Sequence, residues 1–244
     1  MYPLKESSSD CKFSIIIPVL NETDNINSLI EHLHDLRAGK NCEIIVVDGD
    51  PKGGTINVIH DKEVRSIVST LGRAQQMNAG AAIANGEILI FLHADTQLPV
   101  EALQKIGSAM ERKEYVGGAF NLGIKSESLI FRIIGYLGSL RSRLTRIPYG
   151  DQAIFIRKDY FLRIGGYKEI PLMEDLELMH RIKKLGGKIC ILSDPVNTSP
   201  RRWEKEGIIY CTLRYWIILV LYFIGVSPCR LSKFYKSGNE VYKS

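Results

Sequence analysis

"EILIFLHADTQLP", residues 87–99, begins as a buried strand and ends in polar chemistry. Ile88, Leu89, Ile90, Phe91 and Leu92 follow one another without a polar break, the pattern of a strand covered on both faces. His93, Asp95 and Thr96 come next, before Pro99. An unpaired charge is costly to bury, so a carboxylate and an imidazole at such a tip either reach the surface or face something they bind.

Upstream, "FSIIIP" reads as a strand stopped by Pro18. "NETDNINSLIEHLHDL" reads as a helix, with Ile26, Leu29, Ile30, Leu33 and Leu36 at helical spacing behind capping candidates Asn21, Thr23 and Asp24. "CEIIVVDGD" is a second strand ending in Asp48, "GGTINVIHDKEV" a short helix, "VRSIVST" a third strand, and "GRAQQMNAGAAIA" a small-residue helix able to lie close to a sheet. A helix over 100–113 follows the opening stretch. This alternation predicts an α/β domain with a mostly parallel sheet, right-handed crossovers and helices on both faces. Ligands bind such sheets at the carboxyl ends of the strands, which places residues 18–22, Asp48 and residues 93–95 along one crevice.

Beyond Glu114 the alternation loosens. "YVGGAFNLGI" reads as a strand and "SLIFRIIGYLGSLRSRLTRI" as an amphipathic helix carrying Arg132, Arg141, Arg143 and Arg146. "YGDQAIFIRKDYFLRIGGY" reads as a strand and a short helix, "MEDLELMHRIKKLG" as a helix opened by two acids, and "KICILS" as a strand. "EGIIYCTLRYWIILVLYFIGVSP" reads as one long helix ending before Pro228. Its apolar centre, residues 216–226, falls well short of the ~20 residues that span a bilayer.

The 244 residues suffice for one sizeable α/β domain, and 45% hydrophobic and 24% charged residues are an ordinary globular composition. The net charge of +5 is modest and does not point to nucleic acid. Residues 201–244 hold eight Lys/Arg against three Glu, a surplus as large as that of the whole chain. Five scattered cysteines without a C-x-x-C pair fit a reduced, cytoplasmic setting, and the polar start "MYPLKESSSDCK" reads as a flexible lead-in over residues 1–11 with no signal peptide. A dinucleotide site is excluded after the first strand, where "PVLNE" holds no G-x-G-x-x-G, and no Walker A sequence occurs. A pyrophosphorylase-like nucleotidyltransferase would need a glycine- and lysine-rich loop there, and "PVLNETDN" has none.

Each polar residue has a structural alternative: a turn cap for the strand-end acids, a helix start for Arg73 and for the pair Glu174 and Asp175. As an ordered set, "SIIIPVLNE", "IIVVDGD", "GRAQQMNAGAAIANGEILIFLHADT", "GDQAIFIRKDYFLRIGGY" and "PLMEDLELMHRIKKLGG" resemble the family-2 glycosyltransferases with the GT-A fold, in a short bacterial subgroup. "TSPRRWEKEG" stands where many relatives carry a Q-x-x-R-W-like element. The resemblance implies that Pro18, Asn21 and Glu22 shape the nucleotide pocket, that Asp48 hydrogen-bonds the base, usually uracil, and that Arg73 approaches base or diphosphate. It implies that Asp95 is the last acid of the metal-binding D-x-D, that Asp175 is the general base, and that Glu174 supports the loop. The acceptor region would include Asp151, Gln152, Arg201, Arg202 and Trp203.

One position departs from the pattern. His93 replaces the first acid of D-x-D, and it is open whether it ligates the metal, donates from behind it or fills space; imidazole suits Mn²⁺ better than Mg²⁺. The resemblance thus implies an inverting, metal-assisted transferase using a nucleotide diphosphate-sugar, UDP-linked, with Mn or Mg as cofactor. The alternative is a non-catalytic nucleotide-sugar-binding protein of the same fold. Residues 12–114 would form the donor half, 115–203 the acceptor and catalytic half, and 204–244 an amphipathic helical tail. The tail helix is open to two readings: a peripheral contact with the inner face of a membrane, suiting a lipidic acceptor, or a core or homodimer helix, suiting a soluble one.

Overall fold

The computed structural model describes residues 11–37 and 41–236. The lead-in, apart from Cys11, and the last eight residues of the tail lie outside the described residues.

The first strand, β1 (Phe13–Val19), is buried along its whole length. Its side chains divide by the period of two that a strand imposes. Ile15 and Ile17 enter one core with Ile44, Val46, Ile88 and Ile90, whereas Ile16 enters the other with Ile45, Val47, Leu89 and Phe91. The elements after β1 are α1 (Ile26–Arg37), β2 (Cys42–Asp48), β3 (Arg65–Val68), α2 (Arg73–Ile83), β4 (Ile88–Phe91), β5 (Thr96–Gln97), α3 (Ala102–Glu111) and β6 (Tyr115–Ile124). Then come α4 (Leu129–Thr145), β7 (Phe155–Arg157), α5 (Lys158–Arg163), α6 (Glu174–Lys184), β8 (Lys188–Thr198), α7 (Arg201–Glu206), α8 (Ile208–Phe223) and α9 (Pro228–Lys236).

The sheet runs β3-β2-β1-β4-β7-β6-β8-β5. β1 pairs in parallel with β2 and β4, β2 with β3, and β6 with β8, while β7 and β5 run antiparallel to their neighbours. Apolar faces of α1 and α3 cover one side of the sheet; α2, α5, α6 and part of α8 cover the other. The expected α/β architecture, mostly parallel with helices on both faces, is what the chain adopts. The small residues of α2 serve close packing: a Cβ on Gly80 would lie 2.5 Å from Ile16 Cγ2.

Four local expectations change. The helix read from "GGTINVIHDKEV" is only a 3-10 turn at Ile56–Val58. β8 continues past "KICILS" to Thr198 because its pairing skips Ser193 and Asp194, so Phe120 faces Leu192 and Asn121 faces Pro195. A bulge of this kind absorbs the Asp-Pro pair that otherwise signals a turn. The tail is three helices: α7 precedes Gly207 (φ 89°), and α8 stops ahead of Gly225 (φ 93°), after which Pro228 starts α9. Finally, β5 is a two-residue strand with no sequence pattern of its own, held by pairing of Thr96 with Thr198.

Candidate active site

Three strand ends build the floor. After β1 the chain turns through Asn21, exposed and at φ 56°, into Glu22. Pro18 is buried inside β1. Glu22 Oε2 accepts a bond from Asn25 Nδ2 (2.8 Å), and Glu22 Oε1 pairs with Arg201 at 3.0 Å, tying the first wall to the start of the tail. Asp48, at the end of β2, is fully buried. Its Oδ1 accepts from the Asp50 N–H (2.9 Å) and its Oδ2 from the N–H groups of Thr55 (2.8 Å) and Ile56 (3.3 Å). The carboxylate therefore shapes the loop after β2 from beneath. Gln76, which sequence reasoning did not single out, reaches from α2 and donates to the carbonyls of both Val19 and Val47, at 2.7 and 2.8 Å, where β1 and β2 end.

The acidic wall is made by α6 and the turn before β7. Met173 at φ 67° swings the chain into α6, and Glu174, Asp175 and Glu177 fill its first turn, where the helix dipole favours negative charge. Buried Glu174 pairs with Arg73 Nε at 2.8 Å across from α2, and its second oxygen has no partner. Burial pushes the Glu174 carboxyl up, with Arg73 pulling against it. Asp175 Oδ1 accepts from the Leu176 N–H (2.8 Å) and Asp175 Oδ2 from the Gly150 N–H (2.7 Å). Gly150 is where the walls meet: a Cβ there would lie 2.9 Å from His93 Nε2 and 3.5 Å from Asp175 Oδ2. Only a residue without a side chain lets the tip of β4 and the start of α6 come this close.

The residues read as an acceptor region separate into two groups. Gln152 is fully buried, donating to Phe120 O (2.8 Å) and accepting from Ser142 Oγ (2.6 Å), Arg141 and the Tyr149 N–H (both 3.1 Å). It holds up its neighbour Asp151, whose Oδ1 is buried without a partner. Burial raises the Asp151 carboxyl to about 6; Arg141 opposes the rise, and the charges of Asp175 and Asp95 add to it. Arg202, by contrast, turns away to Tyr235 and Glu206 of the tail, and Trp203 packs its ring on Phe131 of α4 at 5.9 Å. Arg141 and Tyr149, stacked with the guanidinium 3.2 Å from the ring centroid, stand beside Asp151; "YGDQ" was the only sequence signal for this corner.

At the tip of β4, Asp95 Oδ1 accepts a single long bond from Thr96 Oγ1 (3.3 Å), and its backbone carbonyl accepts from the Ser199 N–H (3.0 Å). Burial and the Arg73 charge pull the His93 imidazole down to about 4 against an upward pull from Asp175, so the ring is neutral at pH 7. Among the described residues no three His, Cys, Asp or Glu side chains form a metal cage by themselves. The donor set nonetheless fits one hard cation shared with a ligand. Asp95 is half-buried and nearly unbonded, and the partnerless oxygen of Asp151 lies within its electrostatic reach.

Residues 14–168, which supply the strand ends of the crevice, match the family described as "Glycosyl transferase family 2". The chain belongs to glycosyl transferase family 2. Among relatives in the family, the dolichol-phosphate mannosyltransferase of Pyrococcus furiosus is 27% identical over 128 residues, 49% of this chain and 36% of that one. The chain spans between about a third and a half of the length of the curated relatives it matches. Two solved structures share the GT-A fold. S. aureus TarS in complex with UDP-GlcNAc superposes with a TM-score of 0.58 at 19% identity, covering 77% of this chain and 58% of that one. The mannosyltransferase PcManGT from Pyrobaculum calidifontis, in complex with GDP-Man and Mn2+, gives 0.57 at 18% identity, covering 77% and 56%.

Proposed function

We propose that this family-2 member is an inverting glycosyltransferase that moves a sugar from a UDP-linked donor to an acceptor hydroxyl, with Asp175 as the general base. The observation that carries the proposal is the Asp175 carboxylate, fixed by the Gly150 N–H at 2.7 Å and placed beside His93, within electrostatic reach of Asp151 as Asp95 also is. Residues 12–114 serve as the donor half and 115–203 as the acceptor half. The loop that Asp48 braces, with Asn21, Glu22 and Arg73, borders the nucleotide. The family itself and the complexes of the two similar folds, one with UDP-GlcNAc and one with GDP-Man, support a nucleotide-sugar donor, and the first supports UDP.

Asp175 takes the acceptor hydroxyl proton as the acceptor oxygen bonds to the anomeric carbon. The bond from that carbon to the diphosphate oxygen breaks, its electron pair leaves with the nucleotide, and one in-line displacement inverts the centre. Both Asp175 oxygens keep a free lone pair, since each accepts one hydrogen bond of the two it can take. Asp95, joined by Asp151, would hold a divalent cation together with diphosphate oxygens. A cation there would supply Lewis-acid stabilisation of the leaving group. The acceptor is lipidic, and the outer face of α8 makes a peripheral contact with the membrane that holds it. The name of the P. furiosus relative, which specifies a lipid, supports the lipidic reading.

The test pairs Asp175→Asn with Glu174→Gln in a nucleotide-sugar panel read by thermal shift, with Mn²⁺ or Mg²⁺, and by turnover. Asp175→Asn keeps donor binding and lowers turnover about 10²–10⁴-fold, and Glu174→Gln lowers it less. The reverse order would move the base by one residue. Donor binding without turnover in the unmodified chain would make it a nucleotide-sugar-binding protein.

A further inference from the structure

Large apolar side chains left in water concentrate on two helices. On α4, Ile130, Ile133, Leu137, Leu140 and Leu144 are exposed at spacings of three and four, a continuous stripe. The opposite side of α4, with Phe131, Gly135, Ser139 and Ser142, is buried against the domain. α8 repeats the arrangement: Ile209, Leu213, Trp216, Val220 and Phe223 are exposed at the same spacings, while Ile218 and Leu219 enter the core. Both inner faces fasten to one wall of the crevice. Phe131 of α4 meets Trp203, just before α8, and Tyr215 of α8 meets Tyr149 at 5.6 Å, next to Gly150. Arg141 and Ser142 of α4 bond Gln152, the support of Asp151.

Charge decides what covers these stripes. Residues 128–150 contain no Asp or Glu, and neither do residues 207–239. Exposed Arg132 and Arg143 flank the α4 stripe, and Arg230 and Lys233 are exposed on α9, which follows α8. A second copy of the chain would set cations against cations across a dry contact. An anionic bilayer accepts apolar side chains and attracts their basic flanks. We propose that α4 is an interfacial helix in its own right, and that α4 and α8 together seat the acceptor side of the crevice on an anionic lipid surface. The inference rests on the assignment of the Asp175 side to the acceptor, and it places the acceptor's entry at the membrane.

The experiment is flotation of the full chain with phosphatidylcholine vesicles, with and without phosphatidylglycerol, alongside calorimetry of UDP binding. Ile133→Glu with Leu137→Glu lowers the vesicle-bound fraction about tenfold or more, as does Trp216→Glu with Val220→Glu, and UDP binding stays unchanged. Arg132→Glu with Arg143→Glu lowers it on phosphatidylglycerol vesicles alone. In the unmodified chain, amide exchange over 129–145 slows when phosphatidylglycerol vesicles are added, a measurement that needs no variant to fold. The inference is overturned if the α4 pair floats like the unmodified chain, if exchange over 129–145 is unaffected, or if the α4 pair splits a dimer without altering flotation. UDP binding without flotation would refute this inference and leave the donor reading intact; flotation without UDP binding would do the opposite.

Discussion

Alanine at Gly150 would put a methyl carbon 2.9 Å from His93 Nε2, 3.2 Å from His93 Cε1 and 3.5 Å from Asp175 Oδ2. Relaxed contacts of this kind sit at roughly 3.5 Å, so the histidine ring and the turn must separate by about half an ångström. The turn carries the N–H that holds Asp175 at 2.7 Å. Hydrogen bonds to a charged group are worth about 1.5–3 kcal/mol, and a reacting group misplaced by about 1 Å can cost about a hundredfold. Losing half of that bond, about 3–12-fold, together with half that misplacement, about tenfold, gives a fall in kcat of about 30–100-fold, at about 1.4 kcal/mol per factor of ten. Donor affinity, which the proposed function assigns to the other wall, should change by no more than about twofold. Initial rates for Gly150→Ala across donor concentrations separate the two quantities. A kcat within about threefold of the unmodified enzyme, with donor affinity intact, would refute the claim that this close approach positions the base.

Other outcomes follow from the same geometry. Asp95→Asn should abolish metal-dependent UDP binding measured by calorimetry and lower turnover by roughly a thousandfold or more, as loss of Lewis-acid stabilisation would. Asp151, raised from its ordinary value to about 6, binds a proton more readily folded than unfolded, so its ionisation costs stability as pH climbs from about 4 to about 6. In metal-free buffer, Asp151→Asn should therefore melt higher than the unmodified chain at pH 8, by up to about 3 kcal/mol, with the gap closing by pH 4. Asp48→Ala leaves three loop N–H groups without their acceptor and should destabilise by about 3 kcal/mol or more in chemical denaturation. Asp48→Asn, which keeps the shape, should cost less.

The sheet was legible because its strands are short apolar runs whose alternate residues must find two cores. "SIIIPV" and "EILIF" permit no other burial, and the small residues of "NAGAAIA" lie against the sheet where larger ones would not fit. The carboxyl-end rule then put Asp48, His93 and Asp95 near one crevice from the strand pattern alone. Local pattern could not say which way a polar side chain turns. Asp48 faces down into loop amides, Arg202 faces the tail, Gln76 gives its amide N–H groups to the scaffold, and Gln152 bonds the scaffold through both its amide atoms. Those orientations are set by partners up to 57 residues away, as for Gln76 and Val19, which no short-range signal encodes. The tail shows the same division. Its apolar content was plain in "RYWIILVLYF", but only packing decided that Ile218 and Leu219 go inward while Trp216 and Val220 stay out, because a helix side is buried only where another element arrives to cover it.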